Sequence, residues 1–265
     1  MNSPKVRETQ IPGIYKPLRQ FIIFFLLVLS YGFLSYNFFP GWWYSSLGTL
    51  AIIFLSYLLW NDDFTERTGL KIKYTVVIKS LLLAILLTLA ALGVMKYIAA
   101  QNEVSIKFTN WRNYYHDIFY VLNEEIVLGA VPLWFMVKKW KMNPVVASLT
   151  LAILFSIVHF IFYKWIFLDR GTIQITTLLT LFFVGIIRNN LIIQTGHIGY
   201  SWALHFSWMA VMFGSAHVNP SKDEWLTEPE RFNTYLGSYG MLAISALIVI
   251  LSLIIIKRKG HSWEN

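Results

Sequence analysis

The chain contains no cysteine among its 265 residues, which removes disulfide frameworks, thiolate metal sites and cysteine nucleophiles at once. Charge is also scarce. Only 14% of residues are Asp, Glu, Lys or Arg, where soluble proteins carry about 25%. With 56% hydrophobic and 17% aromatic residues, the chain is neither an ordinary soluble domain nor a disordered one. Three catalytic signatures are missing too: there is no H-E-x-x-H, no G-x-S-x-G, and Ser201 has no acidic residue near it in sequence. Repeats, low-complexity tracts and a second soluble domain are likewise missing, so residues 1–265 read as one integral membrane domain.

What is present is a series of apolar runs. A bilayer core of about 30 Å calls for about 20 apolar residues per helix. Eight runs qualify, at 20–39, 46–60, 74–98, 118–137, 145–163, 173–193, 197–214 and 236–256, with seven as the alternative count. The expected fold is all-α and polytopic, about eight transmembrane helices in one bundle. The first run follows Lys5, Arg7, Lys16 and Arg19 but is too long for a signal peptide, so it reads as a retained helix. The sixth and seventh runs are separated only by Gln194-Thr195-Gly196.

The +8 net charge falls in short clusters between runs, the habit of membrane proteins and not of nucleic-acid binders. With both termini cytoplasmic, inner segments hold fourteen Lys and Arg and outer loops seven, leaving Lys79 within the third helix. That bias favours this orientation, in a plasma membrane expected to be prokaryotic. Trp42-Trp43, Trp60, Trp140 and Trp263 lie near helix ends, as in an interfacial aromatic belt.

Ionisable residues inside a span are expensive, and each asks for a reason. Lys79 can reach the headgroups with its long stem. Arg188, followed by Asn189 and Asn190, reads first as a headgroup contact and second as the polar wall of a cavity. Glu124 and Glu125 have no cation three or four residues away. Adjacent helical residues point about 100° apart, so the two carboxylates face different surroundings. Both could instead be structural, hydrogen-bonded near the interface.

His159 and His205 sit among apolar and aromatic residues, where a single histidine is usually a packing residue. Axial position raises their interest. Glu124 lies 14 residues before Lys138, about 21 Å, near the end of its helix opposite the Lys138–Lys141 cluster, and His159 lies 18 residues beyond Lys141 on the returning helix, about 27 Å, at that same end. His205 is near the middle of its run. The three could meet at one depth. A carboxylate with imidazoles in a low-dielectric cavity can take a proton from water near neutral pH, which makes hydrolysis plausible. The same three side chains are also a His2Glu zinc ligand set, and the sequence leaves both options open. His116 and His217 read as loop residues, His197 as a helix-edge residue and His261 as part of the basic tail.

The ordered set Glu124-Glu125 in NEEIVLGA, Phe155-x-x-x-His159, and Phe183-Val184-Gly185 through Thr195-Gly196-His197 to His205 resembles the CPBP, or Abi, family of intramembrane proteases, which includes the type II CAAX prenyl endopeptidases. The resemblance covers roughly 118–214. It implies that Glu124, helped by His159, activates the attacking water, that His205 stabilises the oxyanion or the water, and that Glu125 supports them. It implies no cofactor, with zinc or another divalent ion on Glu124, His159 and His205 as the alternative. Membrane lipids and a peptide or membrane-protein substrate would be the partners. Two positions depart from the pattern: Gly129 stands at its arginine and Met209 at its final asparagine. Asn189, Asn190, Trp202 and Trp208 are the residues available to replace that asparagine as an oxyanion donor. The resemblance therefore leaves an inactive scaffold of the same fold open beside the protease, and the intramembrane carboxylates leave a transporter open as a third reading.

Overall fold

The computed structural model describes residues 15–38, 41–161, 174–214 and 219–259. The expectations for Lys5, Arg7, His217, His261 and Trp263 lie outside those residues. The described chain is helical from end to end. Its helices are α1 Tyr15–Phe38, α2 Tyr44–Trp60, the short α3 Phe64–Arg67, and α4 Tyr74–Gln101. α5 spans Trp111–Lys139, and α6 spans Pro144–Ile161. They are followed by α7 Ile175–Thr195, α8 Gly199–Met209, the one-turn α9 Glu228–Arg231, and α10 Tyr239–Lys259.

Six helices are long and apolar enough to cross a bilayer, and a bent pair over Pro229–Leu236 and Tyr239–Ile255 makes a possible seventh. The chain is thus an integral membrane protein. α8 with the π-helical turn Ala210–Gly214 falls short of that length, which separates this count from the eight runs read in the sequence. The polar stretch ahead of the last run is also partly helical, since α9 and the π turn Phe232–Leu236 meet α10 at 64°.

The outer face of the bundle is apolar. On α4, Leu82, Leu86 and Leu89 are each more than half exposed, as are Leu247, Ile250 and Leu251 on α10. A contiguous apolar surface of this extent belongs against lipid. The interior is organised around α5, which is buried continuously from Gly129 to Val137. Ile126, Ala130, Val131, Leu133 and Phe135 pack there against Phe24 and Ile52 of α1 and α2, Ala147 and Leu151 of α6, and Ile192 and Ile193 of α7. α6 and α10 flank α7, and α4 lies on α8.

α5 begins earlier than the apolar pattern indicates. Asn110 caps it by accepting a hydrogen bond from the Arg112 N–H at 3.1 Å, and the aromatic-rich turn that follows is already helical. His116 is therefore helical and not a loop residue, stacking on Tyr120 at 5.5 Å. Glu124, thirteen residues from the start, lies about 20 Å along a helix about 43 Å long, near its middle rather than near an end. Trp60 also departs from expectation: it is 5% exposed and packs on Phe24, inside the bundle instead of at its lipid rim. Trp43 and Trp140 are exposed as a belt requires.

Two buried polar features tie the helices. Between α6, α7 and α10, Ser148 donates to Asn190 Oδ1 at 2.7 Å, Asn190 donates to Ser252 at 2.8 Å, and Asn189 donates to the Ser148 carbonyl at 2.9 Å. Such intramembrane bonds contribute about 0.6–1.7 kcal/mol, so Asn190→Ala is expected to lower stability by about 1 kcal/mol in detergent unfolding. The second feature is the corner between α7 and α8. Gly196 there adopts φ +73°, the left-handed conformation that ends a helix, and its N–H returns to the Ile192 carbonyl at 2.8 Å.

His197 follows in this corner. Its Nδ1 accepts the Gly199 N–H at 3.3 Å, which requires an unprotonated nitrogen, and burial pushes the imidazole below its ordinary range. The folded chain thus disfavours the proton that the unfolded chain accepts. This stabilisation is complete above about pH 6.5, the unfolded value, and is lost as pH falls through that value toward the folded one. Between pH 7.5 and 5.5 the thermal midpoint should fall more for the wild type than for His197→Asn. Parallel slopes would refute the assignment.

Candidate active site

The structure brings Glu124, Glu125, His159 and His205 together from three helices. His159 Nε2 lies 3.9 Å from Glu124 Oε1 and His205 Nε2 lies 4.0 Å from Glu124 Oε2. The three side chains are 9%, 16% and 14% exposed, so the cluster is enclosed but not sealed.

Each imidazole is held by its other nitrogen. His159 Nδ1 is 2.8 Å from the Phe155 carbonyl, which only accepts, so Nδ1 carries the hydrogen. His205 Nδ1 is 2.9 Å from Glu125 Oε1, and an ionised carboxylate imposes the same assignment. Both rings therefore turn Nε2 toward Glu124. The 100° offset between adjacent helical residues is used as expected: Glu124 faces the two imidazoles, while Glu125, wholly buried, holds one of them from behind.

Phe155 is the floor of this arrangement. Its ring lies 4.5 Å from the His159 ring and 6.5 Å from the His205 ring, both edge-on. The Arg188 guanidinium sits 4.2 Å above the same ring. Arg188 is 1% exposed, which corrects its reading as a headgroup contact; it is part of the buried wall. Its Nη1 is 3.8 Å from Glu125 Oε1, and its Nη2 donates to the Leu128 carbonyl at 2.7 Å. The cation that Glu125 lacks on its own helix thus arrives from α7. Removing Arg188 from the inner charges leaves thirteen against seven, so the charge bias survives.

The local sequence of α5 explains this docking. A π-helical turn over Ile126–Ala130 follows the two carboxylates directly, a distortion often found at functional sites. Pro132 has no N–H to return to the Leu128 carbonyl, and Arg188 supplies a donor to it instead. Gly129 lets α7 come close: a Cβ there would crowd Ile192 Cδ1 at 3.0 Å, while the Arg188 guanidinium carbon would lie at an ordinary contact distance of 3.8 Å.

The proposed stand-ins for the asparagine at Met209 fare differently. Asn189 and Asn190 are engaged in the helix seam, and Trp202 donates to the Ile118 carbonyl at 3.1 Å. Trp208 remains, its Nε1 buried without a hydrogen-bond partner. Met209 packs in the apolar cluster around Phe155 and Leu181.

As placed, the residues do not fit a zinc ion. Bonds of about 2.0–2.2 Å would bring tetrahedral ligands to about 3.3 Å from one another, closer than the 3.9 and 4.0 Å separations found. Among the described residues no three His, Asp or Glu side chains are grouped to hold a metal.

No family model matches the chain, and no curated protein or solved structure is significantly similar to it. The class of protein stands on fold and geometry: a polytopic helical membrane protein with an enclosed Glu-His-His cluster backed by a buried Glu–Arg pair.

Proposed function

We propose that the protein is an intramembrane endopeptidase of the CPBP type, hydrolysing a peptide bond of a membrane-bound or membrane-delivered substrate by attack of water. The observation that carries this reading is the convergence of Glu124 with the Nε2 atoms of His159 and His205. Separations of 3.9 and 4.0 Å are too long for direct hydrogen bonds, and suit a bridging water with legs of about 2.8 Å.

In this mechanism Glu124, with the His159 lone pair, takes a proton from that water as its oxygen attacks the carbonyl carbon. His205, donating from Nε2 in its protonated form, stabilises the oxygen that gains negative charge. The charges then balance: Glu124 and Glu125 against His205 and Arg188. Collapse of the tetrahedral species breaks the C–N bond. The proton taken from water passes to the amine nitrogen, giving a new N-terminus and a carboxylic acid, which loses the second water proton to solvent on release.

The reading includes eight crossing segments, with α8 as the shortest, and both termini in the cytoplasm of a prokaryotic cell. Glu124 then lies near mid-depth, about 20 Å from the outer end of α5 and about 21 Å from Lys138. A scaffold without turnover is the second reading, favoured by the engagement of Asn189, Asn190 and Trp202 elsewhere.

The test is incubation of the purified protein in liposomes with a panel of membrane-anchored peptides, followed by identification of new N-termini. Termini that appear with the wild type and vanish with His159→Ala support the protease. Their absence with every peptide favours the scaffold.

A further inference from the structure

We infer that Arg188 is a positioning residue: seated in a socket on α5, it fixes the Glu125 carboxylate that orients His205. The inference deepens the hydrolase reading and rests on it for the kinetic part of its test.

The socket is one face of α5. Glu125, Leu128, Gly129 and Pro132 stand at the i, i+3, i+4 and i+7 positions of a helical stripe. Each contributes something different. Glu125 offers a carboxylate at 3.8 Å, and Leu128 a carbonyl at 2.7 Å. Pro132 frees that carbonyl from its usual helical donor, and Gly129, where a Cβ would crowd Ile192 at 3.0 Å, lets α7 approach close enough for the guanidinium to reach it. Phe155 closes the opposite side with its ring face at 4.2 Å. Among the described residues, His205 is the one other cation within ion-pairing distance of Glu125.

The consequence for chemistry runs through one hydrogen bond. An ionised Glu125 can only accept, so it holds the hydrogen on His205 Nδ1 and leaves Nε2 facing Glu124. Without the guanidinium, a buried carboxylate 2.9 Å from an imidazole has no second charge to balance it, and the carboxyl group can hold the hydrogen itself. His205 then gives up the Nδ1 hydrogen and its positive charge, so its Nε2 faces the developing oxyanion as a neutral donor in place of an imidazolium. Arg188 ion-pairs with Glu125 and lies on the ring of Phe155, and of these two neighbours only Glu125 is hydrogen-bonded to His205.

The experiment compares full-length wild type, Arg188→Ala, Arg188→Lys and the relocation variant Gly129→Arg/Arg188→Ala in lipid nanodiscs. Gly129→Arg starts a side chain from α5 beside the volume that Arg188 leaves, its Cβ tight only against the flexible end of Ile192. Arg188→Ala is expected to lower kcat on the order of 10²-fold with KM unchanged. Arg188→Lys keeps the charge but not the planar guanidinium that lies on Phe155 while it donates to the Leu128 carbonyl, and should fall between the two. The relocation variant should recover kcat to within about tenfold of wild type. Full kcat in folded Arg188→Ala, or no recovery in a folded relocation variant, overturns the inference.

A second measurement does not need turnover. Solid-state 15N spectra of the His205 ring should show the Nδ1-protonated nitrogen in the wild type and relocation variants and a changed pattern in Arg188→Lys. An unchanged pattern overturns the inference, and also covers the case in which Arg188→Ala fails to fold. Should the wild type cleave no peptide, the hydrolase reading fails while this spectroscopic arm still decides the role of Arg188.

Discussion

Replacing Glu125 by leucine is expected to destabilise the fold by about 3–5 kcal/mol, seen as a fall in thermal midpoint on the order of 10 °C in detergent. The carboxylate is wholly buried, accepts from His205 at 2.9 Å and faces Arg188 at 3.8 Å. Its removal strands a guanidinium that is 1% exposed and whose Nε and Nη1 already lack hydrogen-bond partners. An uncompensated buried charge is what makes breaking such a pair so much costlier than removing both members. The double variant Glu125→Leu/Arg188→Met should therefore recover much of the lost stability while staying inactive. Equal stability of wild type and Glu125→Leu would show that the two charges are not coupled in the folded chain.

Glu124→Gln is expected to behave in the opposite way, with little change in stability and a loss of hydrolysis of about 10²–10⁴-fold, the contribution of a positioned general base. Glu124 makes no ion pair shorter than 3.9 Å, so an amide of the same shape disturbs no strong contact. The amide cannot take a proton from water, however, and the His159 lone pair would act alone. A separation of stability from activity between adjacent residues is the signature of the 100° offset between them on α5. Loss of fold in Glu124→Gln, or retained turnover, would contradict the role given to it.

Much of this site was legible in the sequence. Two carboxylates with no cation on their own helix had to find partners on others, and the count of residues to the Lys138–Lys141 cluster put His159 at the same depth. The partner itself was not legible. Arg188 near the end of an apolar run has the pattern of a residue reaching for headgroups, and only packing brings it to Glu125. Gly129 and Pro132 were the available signals, because a small residue and a missing N–H one turn beyond a buried acid make space and an acceptor for a side chain from outside the helix.

The helix count was legible in kind and weaker in detail. Gly196 marked the break between α7 and α8, as its left-handed φ requires. The start of α5 was hidden because Tyr114, Tyr115, His116 and Asp117 dilute the apolar pattern, and the cap at Asn110 is a local signal that hydropathy ignores. The bend before α10 was hidden for a similar reason: charged Glu230 and Arg231 lie in a segment whose buried face is Phe232, Tyr235 and Leu236.

In the proposed mechanism water held by Glu124, and not a side-chain nucleophile, attacks the peptide bond. Single-turnover cleavage in 18O-labelled water tests it directly, with the product analysed by mass spectrometry and the protein quenched at each time point. The expected result is one 18O in the new carboxylate, no peptide covalently attached to the protein at any time, and labelled product from Glu124→Gln slowed by about 10²–10⁴-fold. A transient acyl adduct on a residue such as Ser201, or labelled product from Glu124→Gln at the wild-type rate, would contradict it.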